Sequence, residues 1–257
     1  MENVQRWCGT CSYDGTDFCG WQSQSNGNAI QDFLERRLAQ IFRRRVPAVG
    51  SGRTDAGVHA LAQIFHFDAT GWNHGQKELL RALQCGLPRT IRVWDVRTVD
   101  ADFHARFSST GKRYTYFFQR GFTDPFHCRF RWHTGNAPLD DVAMDAAARL
   151  FLGSHDFRAF ANLRRDGTDG NSVKTLTRSE IVRRDDCYVY ATEGNGYLYR
   201  MVRRIVGTIV EVGRGKILIG DVVERLATPD VKYVHTPSAA PAAGLFLEKV
   251  FFGQKNL

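Results

Sequence analysis

The chain has 257 residues, enough for one large domain or two smaller ones with a sizeable core. It is 43% hydrophobic and 24% charged, as a packed globular protein is, and no run of about 18 apolar residues offers a transmembrane helix. Thirty-five Lys and Arg against 27 Asp and Glu leave a formal net charge of +8, which allows an anionic partner without naming one. Arginine supplies 28 of those cations and lysine 7. That bias suits bidentate phosphate contacts and stacking on bases, although arginine-rich codon usage produces it too. Met1 to Trp7 lacks the apolar core of a signal peptide, so a cytoplasmic protein with reduced cysteines is expected.

A first strand is predicted over Arg6 to Tyr13. Within it Cys8 and Cys11 have C-x-x-C spacing, with Cys19 nearby, but positions three apart on a strand face opposite sides. No second pair of ligands follows at a suitable spacing, so no metal site is expected. Asn28 to Arg44 reads as a helix, with Ile30, Phe33, Leu34, Leu38, Ile41 and Phe42 at helical spacing and an Asn28/Gln31 capping box. Strands are predicted over Val46 to Val49, Gln63 to Asp68 and Ile91 to Val99, and a helix over Gln76 to Gln84. The order to this point is β-α-β-β-α-β.

The second half repeats that order. Arg113 to Gln119 alternates as a strand, with Tyr114, Tyr116 and Phe118 on one face. A helix over Leu139 to Leu152 opens after Pro138 with Asp140 and Asp141 in its first turn. Leu176 to Arg183 and Tyr188 to Thr192 form a strand pair. Helices follow at Tyr197 to Val212 and Gly220 to Ala227, and Leu245 to Phe252 closes the pattern as a strand. Asn162 to Lys174 is a polar, glycine-containing loop exposing Arg164, Arg165 and Lys174. Two ferredoxin-like halves are therefore predicted, residues 1–105 and 106–257, in a mixed α+β fold.

The run Ser51-Gly52-Arg53-Thr54-Asp55-Ala56-Gly57-Val58-His59 carries the chemistry most plainly. Two glycines allow a tight turn, Arg53 offers a permanent cation, and Asp55 offers a carboxylate that neighbouring donors hold ionised. A pinned carboxylate of this kind serves covalent or acid–base catalysis, while an ordinary Asp turn uses the same residues. No phosphate-binding loop or dinucleotide fingerprint accompanies it, and no cofactor is expected.

Five islands in order then define a resemblance. They are Tyr13-Asp14-Gly15-Thr16 with Gly20-Trp21-Gln22, and the Ser51 to His59 loop. Next come Phe103-His104-Ala105-Arg106-Phe107 with Lys112-Arg113-Tyr114, and Met201-Val202-Arg203 with Ile205-Val206-Gly207. The last is Ala240-Pro241-Ala242 with Gly244-Leu245. Together they resemble the TruA-type tRNA pseudouridine synthases over nearly the whole chain. The resemblance implies one extended, mostly antiparallel sheet flanked by helices, with a central basic cleft. It also implies isomerisation of uridine to pseudouridine in the anticodon arm of tRNA, at about positions 38 to 40, by a homodimer without a cofactor.

By the same resemblance Asp55 is the catalytic carboxylate, and Arg203 is the cation that keeps it ionised. Tyr114 is the platform for the extruded base and a candidate for proton transfer from C5. Leu245 lies against the uracil, and Arg53 holds the extruded nucleotide. Phe103 to Phe107, including His104, Ala105 and Arg106, form a tRNA-contacting segment. Asp14 reads as a turn residue before Gly15. The chain departs from the family pattern at Ser51, Arg204 and Gln84 to Pro88, which bears on the choice of uridine rather than on the reaction. Two other readings stand beside this one. A catalytically silent RNA-binding protein of the same fold has no use for a carboxylate facing phosphate. A nucleoside hydrolase would need a second carboxylate, for which the chain offers no strong candidate.

Overall fold

The computed structural model describes residues 4–122, 124–162, 171–229 and 237–253. The fold is mixed α+β, with mostly antiparallel strand pairing and, among the described residues, ten strands and five α-helices. It divides into two compact units, Met1–Lys112 with Phe246–Leu257, and Arg113–Leu245.

The first unit is built on β1 (Gln5–Tyr13), β2 (Val49–Gly50), β3 (His59–Ala69), β4 (Ile91–Thr98) and β10 (Leu245–Phe252), with helices α1 (Ile30–Phe42) and α2 (Gln76–Gln84). Its strand order is β4-β1-β3-β10, and β2 pairs with β3 off that path. Antiparallel β1 and β3 place Trp7 opposite Phe67 and Gly9 opposite Phe65. Parallel pairing joins Phe246 to His59 and Leu247 to Ala60. The sequence pattern assigned this last strand to the second half; the chain instead returns it to β3. Leu34 and Leu38 of α1 and Leu79 and Leu83 of α2 are fully buried, at the four-residue spacing that brings side chains onto one helix face.

Two local expectations fail for identifiable reasons. Helix α1 is capped by Ala29 and Asp32, whose carboxylate accepts the Ala29 N–H at 2.8 Å, while Asn28 turns away to donate to the Asp17 carbonyl. The strand expected over Val46 to Val49 shrinks to β2, because side chains occupy the backbone of Ala48. Glu35 accepts its N–H at 3.0 Å, and Gln31 donates to its carbonyl at 3.0 Å.

The second unit holds β5 (Ser109–Gln119), which begins in the first unit, β6 (Trp132–His133), β7 (Gly153–Asp156), β8 (Val173–Arg184) and β9 (Cys187–Gly194). Its strand order is β5-β9-β8-β7, with β6 parallel to β5. Helices α3 (Asp141–Arg149), α4 (Met201–Gly213) and α5 (Ile219–Ala227) complete it. Asp140 is the N-cap of α3 rather than part of its first turn, and its side chain accepts from the Ala143 N–H at 3.0 Å. The α4 helix starts four residues later than expected because Arg200 takes a left-handed conformation, φ 59°. Met144 of α3, Ile205 and Ile209 of α4, and Tyr116 and Phe118 of β5 are all fully buried core residues.

Candidate active site

In the first unit the Asp55 loop is held by the N-terminal segment that precedes α1. The Trp21 N–H donates to the Thr54 carbonyl at 3.1 Å, and the Gly57 N–H donates to Phe18. Within the loop the Val58 N–H donates to the Asp55 carbonyl at 3.1 Å. The Tyr13 hydroxyl and Thr54 hydroxyl share a buried hydrogen bond of 2.8 Å. Gly20 has φ +86°, and a Cβ there would sit 2.4 Å from the Thr54 carbonyl oxygen and 2.9 Å from the Asp55 carbonyl carbon. This close approach explains the glycine and shows how tightly the loop is clasped. Asp55 is half-buried and Arg53 exposed on the same loop.

His59, at the end of the loop, is fully buried and stacks on Phe246 at 4.6 Å. Its Nδ1 accepts the Gly15 N–H at 3.0 Å. Asp14 is the turn residue expected, its Oδ1 accepting from both the N–H and hydroxyl of Thr16. The stem of Lys112 lies beside Gly52, and burial, with Arg106 adding to it, pushes its ammonium down to about 8. Cys8 and Cys11 are both buried and free, and burial pushes the Cys8 thiol up to about 11 and the Cys11 thiol higher still.

In the second unit β5, α4 and the segment 240–245 bring three of the expected residues onto neighbouring elements. Arg203 Nε donates to the Ala240 carbonyl at 2.7 Å, and the Ala240 N–H returns a bond to the Arg203 carbonyl at 2.9 Å. Gly207, one turn further along α4, lets the chain pass closely, since a Cβ there would meet the Ser238 carbonyl oxygen at 2.4 Å. The Tyr116 hydroxyl donates to the Pro241 carbonyl at 2.7 Å, tying the same segment to β5. Leu245 follows, 6% exposed. Tyr114 lies on the Tyr116 face of β5, 8% exposed, with the Tyr197 ring edge-on at 4.9 Å. Sequence reasoning missed Tyr197 and the Tyr116 anchor; their only signal was an aromatic at a strand or helix-entry position.

The expected RNA segment divides. Phe103 and Ala105 are core residues, at 2% and 0% exposure. His104 Nδ1 accepts the backbone N–H groups of Arg106 and Phe107 at 3.2 Å, which builds the turn. Arg106 and Phe107 are left at the surface, the guanidinium 5.6 Å from the ring. Arg164 and Arg165 lie outside the described residues. Lys174, on β8, is half-buried, and burial lowers its ammonium below the usual range.

The first unit thus carries Asp55 and Arg53 on one loop, and the second carries Arg203 and Tyr114 on neighbouring elements. The family model described as tRNA pseudouridine synthase matches residues 11–108 and 147–253. The tRNA pseudouridine synthase A of Staphylococcus aureus strain MRSA252 is 40% identical over 247 residues, 96% of this chain and 91% of that protein. The enzyme of the same name from strain bovine RF122 / ET3-1 is also 40% identical, over 96% of this chain and 90% of its own length. The chain therefore belongs to the tRNA pseudouridine synthase family, a family of isomerases. The resemblance carried by the five sequence islands is borne out.

Proposed function

We propose that this member of the family isomerises uridine in the anticodon arm of tRNA, at about positions 38 to 40, with Asp55 as its catalytic carboxylate. The bond between C1′ and N1 breaks, the uracil turns, and a bond forms between C1′ and C5. The C5 proton leaves and N1 gains a proton, so nothing is added or lost. Asp55 either attacks the sugar or removes a sugar proton to release the base. Arg203 is the supporting cation. Tyr114 stacks on the extruded uracil and serves the C5 proton transfer, directly or through water, and Leu245 packs against the base. Arg53 holds the extruded nucleotide, and Arg106 and Phe107 contact the RNA.

In this reading residues 1–105 bring the carboxylate and residues 106–257 bring its support. The protein works in the cytoplasm as a homodimer, each tRNA touching both subunits. No helix among the described residues is long and apolar enough to cross a membrane. One observation carries the reading: Asp55 stands in a loop whose backbone is fixed from both sides, inside the stretch that matches the family. The test is to incubate the protein with unmodified tRNA, without added metal or nucleotide, and map pseudouridine by position. Modification confined to the anticodon arm supports the reading, and modification only elsewhere in the tRNA overturns the assigned position.

A further inference from the structure

Arg53 is exposed, yet it is not loose. Its Nε donates to Gln22 Oε1 at 3.2 Å. Gln22 Nε2 donates to Gln31 Oε1 at 2.8 Å, and Gln31 Nε2 donates to Glu35 Oε1 at 2.8 Å. A guanidinium only donates and a carboxylate only accepts, so both amides between them have a single workable orientation. The four side chains form one directed chain with a cation at one end and an anion at the other. Each bond in such a chain polarises the next.

The middle of the chain and its anionic end are anchored in backbone. Gln31 Oε1 also accepts the Ser23 N–H at 3.0 Å, and Gln31 Nε2 also donates to the Ala48 carbonyl. Glu35 Oε1 accepts the Ala48 N–H, just before β2 leads into the Asp55 loop. Trp21, the residue before Gln22, donates to Thr54 and accepts from the Gln31 N–H at 3.1 Å. Gln22 is thus presented from a backbone bolted to both the loop and the first turn of α1. Among the described residues the two terminal nitrogens of Arg53 have no hydrogen-bond partner, so its bidentate edge is free for a phosphate or a carbonyl.

We propose that Gln22 is a positioning residue for Arg53: through Gln31 and Glu35 it fixes the Nε edge of the guanidinium and aims the free edge at the nucleotide. The proposal rests on the role given above to Arg53. Its advantage is entropic, since an arginine ordered before binding loses less rotamer freedom when the nucleotide arrives.

The test is a double-mutant cycle on kcat/KM for tRNA pseudouridylation, using Gln22→Met, Arg53→Met and the double variant, with thermal melting to show that each folds. A hydrogen bond of this kind corresponds to a fall of about five- to tenfold for Gln22→Met. That fall should vanish when Arg53 is already methionine, and melting should be unchanged by either substitution. Equal falls in both backgrounds would overturn the proposal, because a merely structural Gln22 would act regardless of Arg53. A strong effect of Arg53→Met with none of Gln22→Met would remove Gln22 alone and leave the role of Arg53 standing. No effect of Arg53→Met would remove both.

Discussion

His66 lies beneath the turn that offers Arg106 and Phe107 to solvent, and its protonation state is legible from its bonds. Its Nδ1 accepts the Ala105 N–H at 3.1 Å, and its ring is 4.7 Å from that of His104. Burial first, then the neighbouring His104 and Arg6, press its pKa down to about 4, with Asp68 opposing. An unfolded chain titrates near the ordinary histidine value of about 6.5 and so takes up the proton first as pH falls. The stabilisation from neutral His66 is whole above about pH 6.5 and is lost progressively as pH falls toward 4. Urea midpoints between pH 7 and 4.5 should therefore fall more steeply for the natural protein than for His66→Asn, which keeps an acceptor for Ala105. Parallel declines would contradict this account. The backbone bonds to His104 and His66 hold the turn, and with it the position of Arg106.

Among elements, the decisive contact is between the N-terminal segment 13–22 and the Asp55 loop. Gly20→Ala meets a positive φ and two backbone atoms of that loop, none of which can swing aside. It should lower the melting temperature by several degrees and reduce pseudouridylation at least tenfold, both read on purified protein. Gly71→Ala also meets a positive φ, +78°, but has nothing within 4 Å. Its activity should stay near that of the natural protein, and an equal loss in both variants would argue against loop displacement. The long elements were legible in the sequence. Helix α2 (Gln76–Gln84) and strand β10 (Leu245–Phe252) run between the residues that pattern alone chose, since α2 buries Leu79 and Leu83 four residues apart and β10 buries Leu245 and Leu247 two apart. The short strands β6 and β7 were not, because two to four residues give no period to read. For the site, the Asp55 loop and its candidate partners could be picked out by their likeness to a family. The burial of Phe103 and Ala105 and the Gln22–Gln31–Glu35 chain could not, because they join residues that only the fold brings together.

For the whole molecule, the arginine excess now has a substrate to act on. Each phosphate neutralised on binding releases counterions, so the logarithm of the tRNA association constant should fall linearly with the logarithm of salt concentration. A slope of magnitude about 3 or more, measured by filter binding or anisotropy, would match several arginine contacts, whereas salt-insensitive binding would contradict a basic RNA surface. Binding and chemistry are separable in this account, since phosphate is held by arginines while the bond rearrangement needs one carboxylate. The most direct test is therefore a single measurement pair on Asp55→Asn: tRNA affinity, and pseudouridine formed in a single turnover with enzyme in excess. The account predicts affinity within about threefold of the natural protein and product formation down by about a thousandfold or more, as expected when a nucleophile or base is removed. Product formation within tenfold of the natural protein would contradict it and take the chemistry away from Asp55.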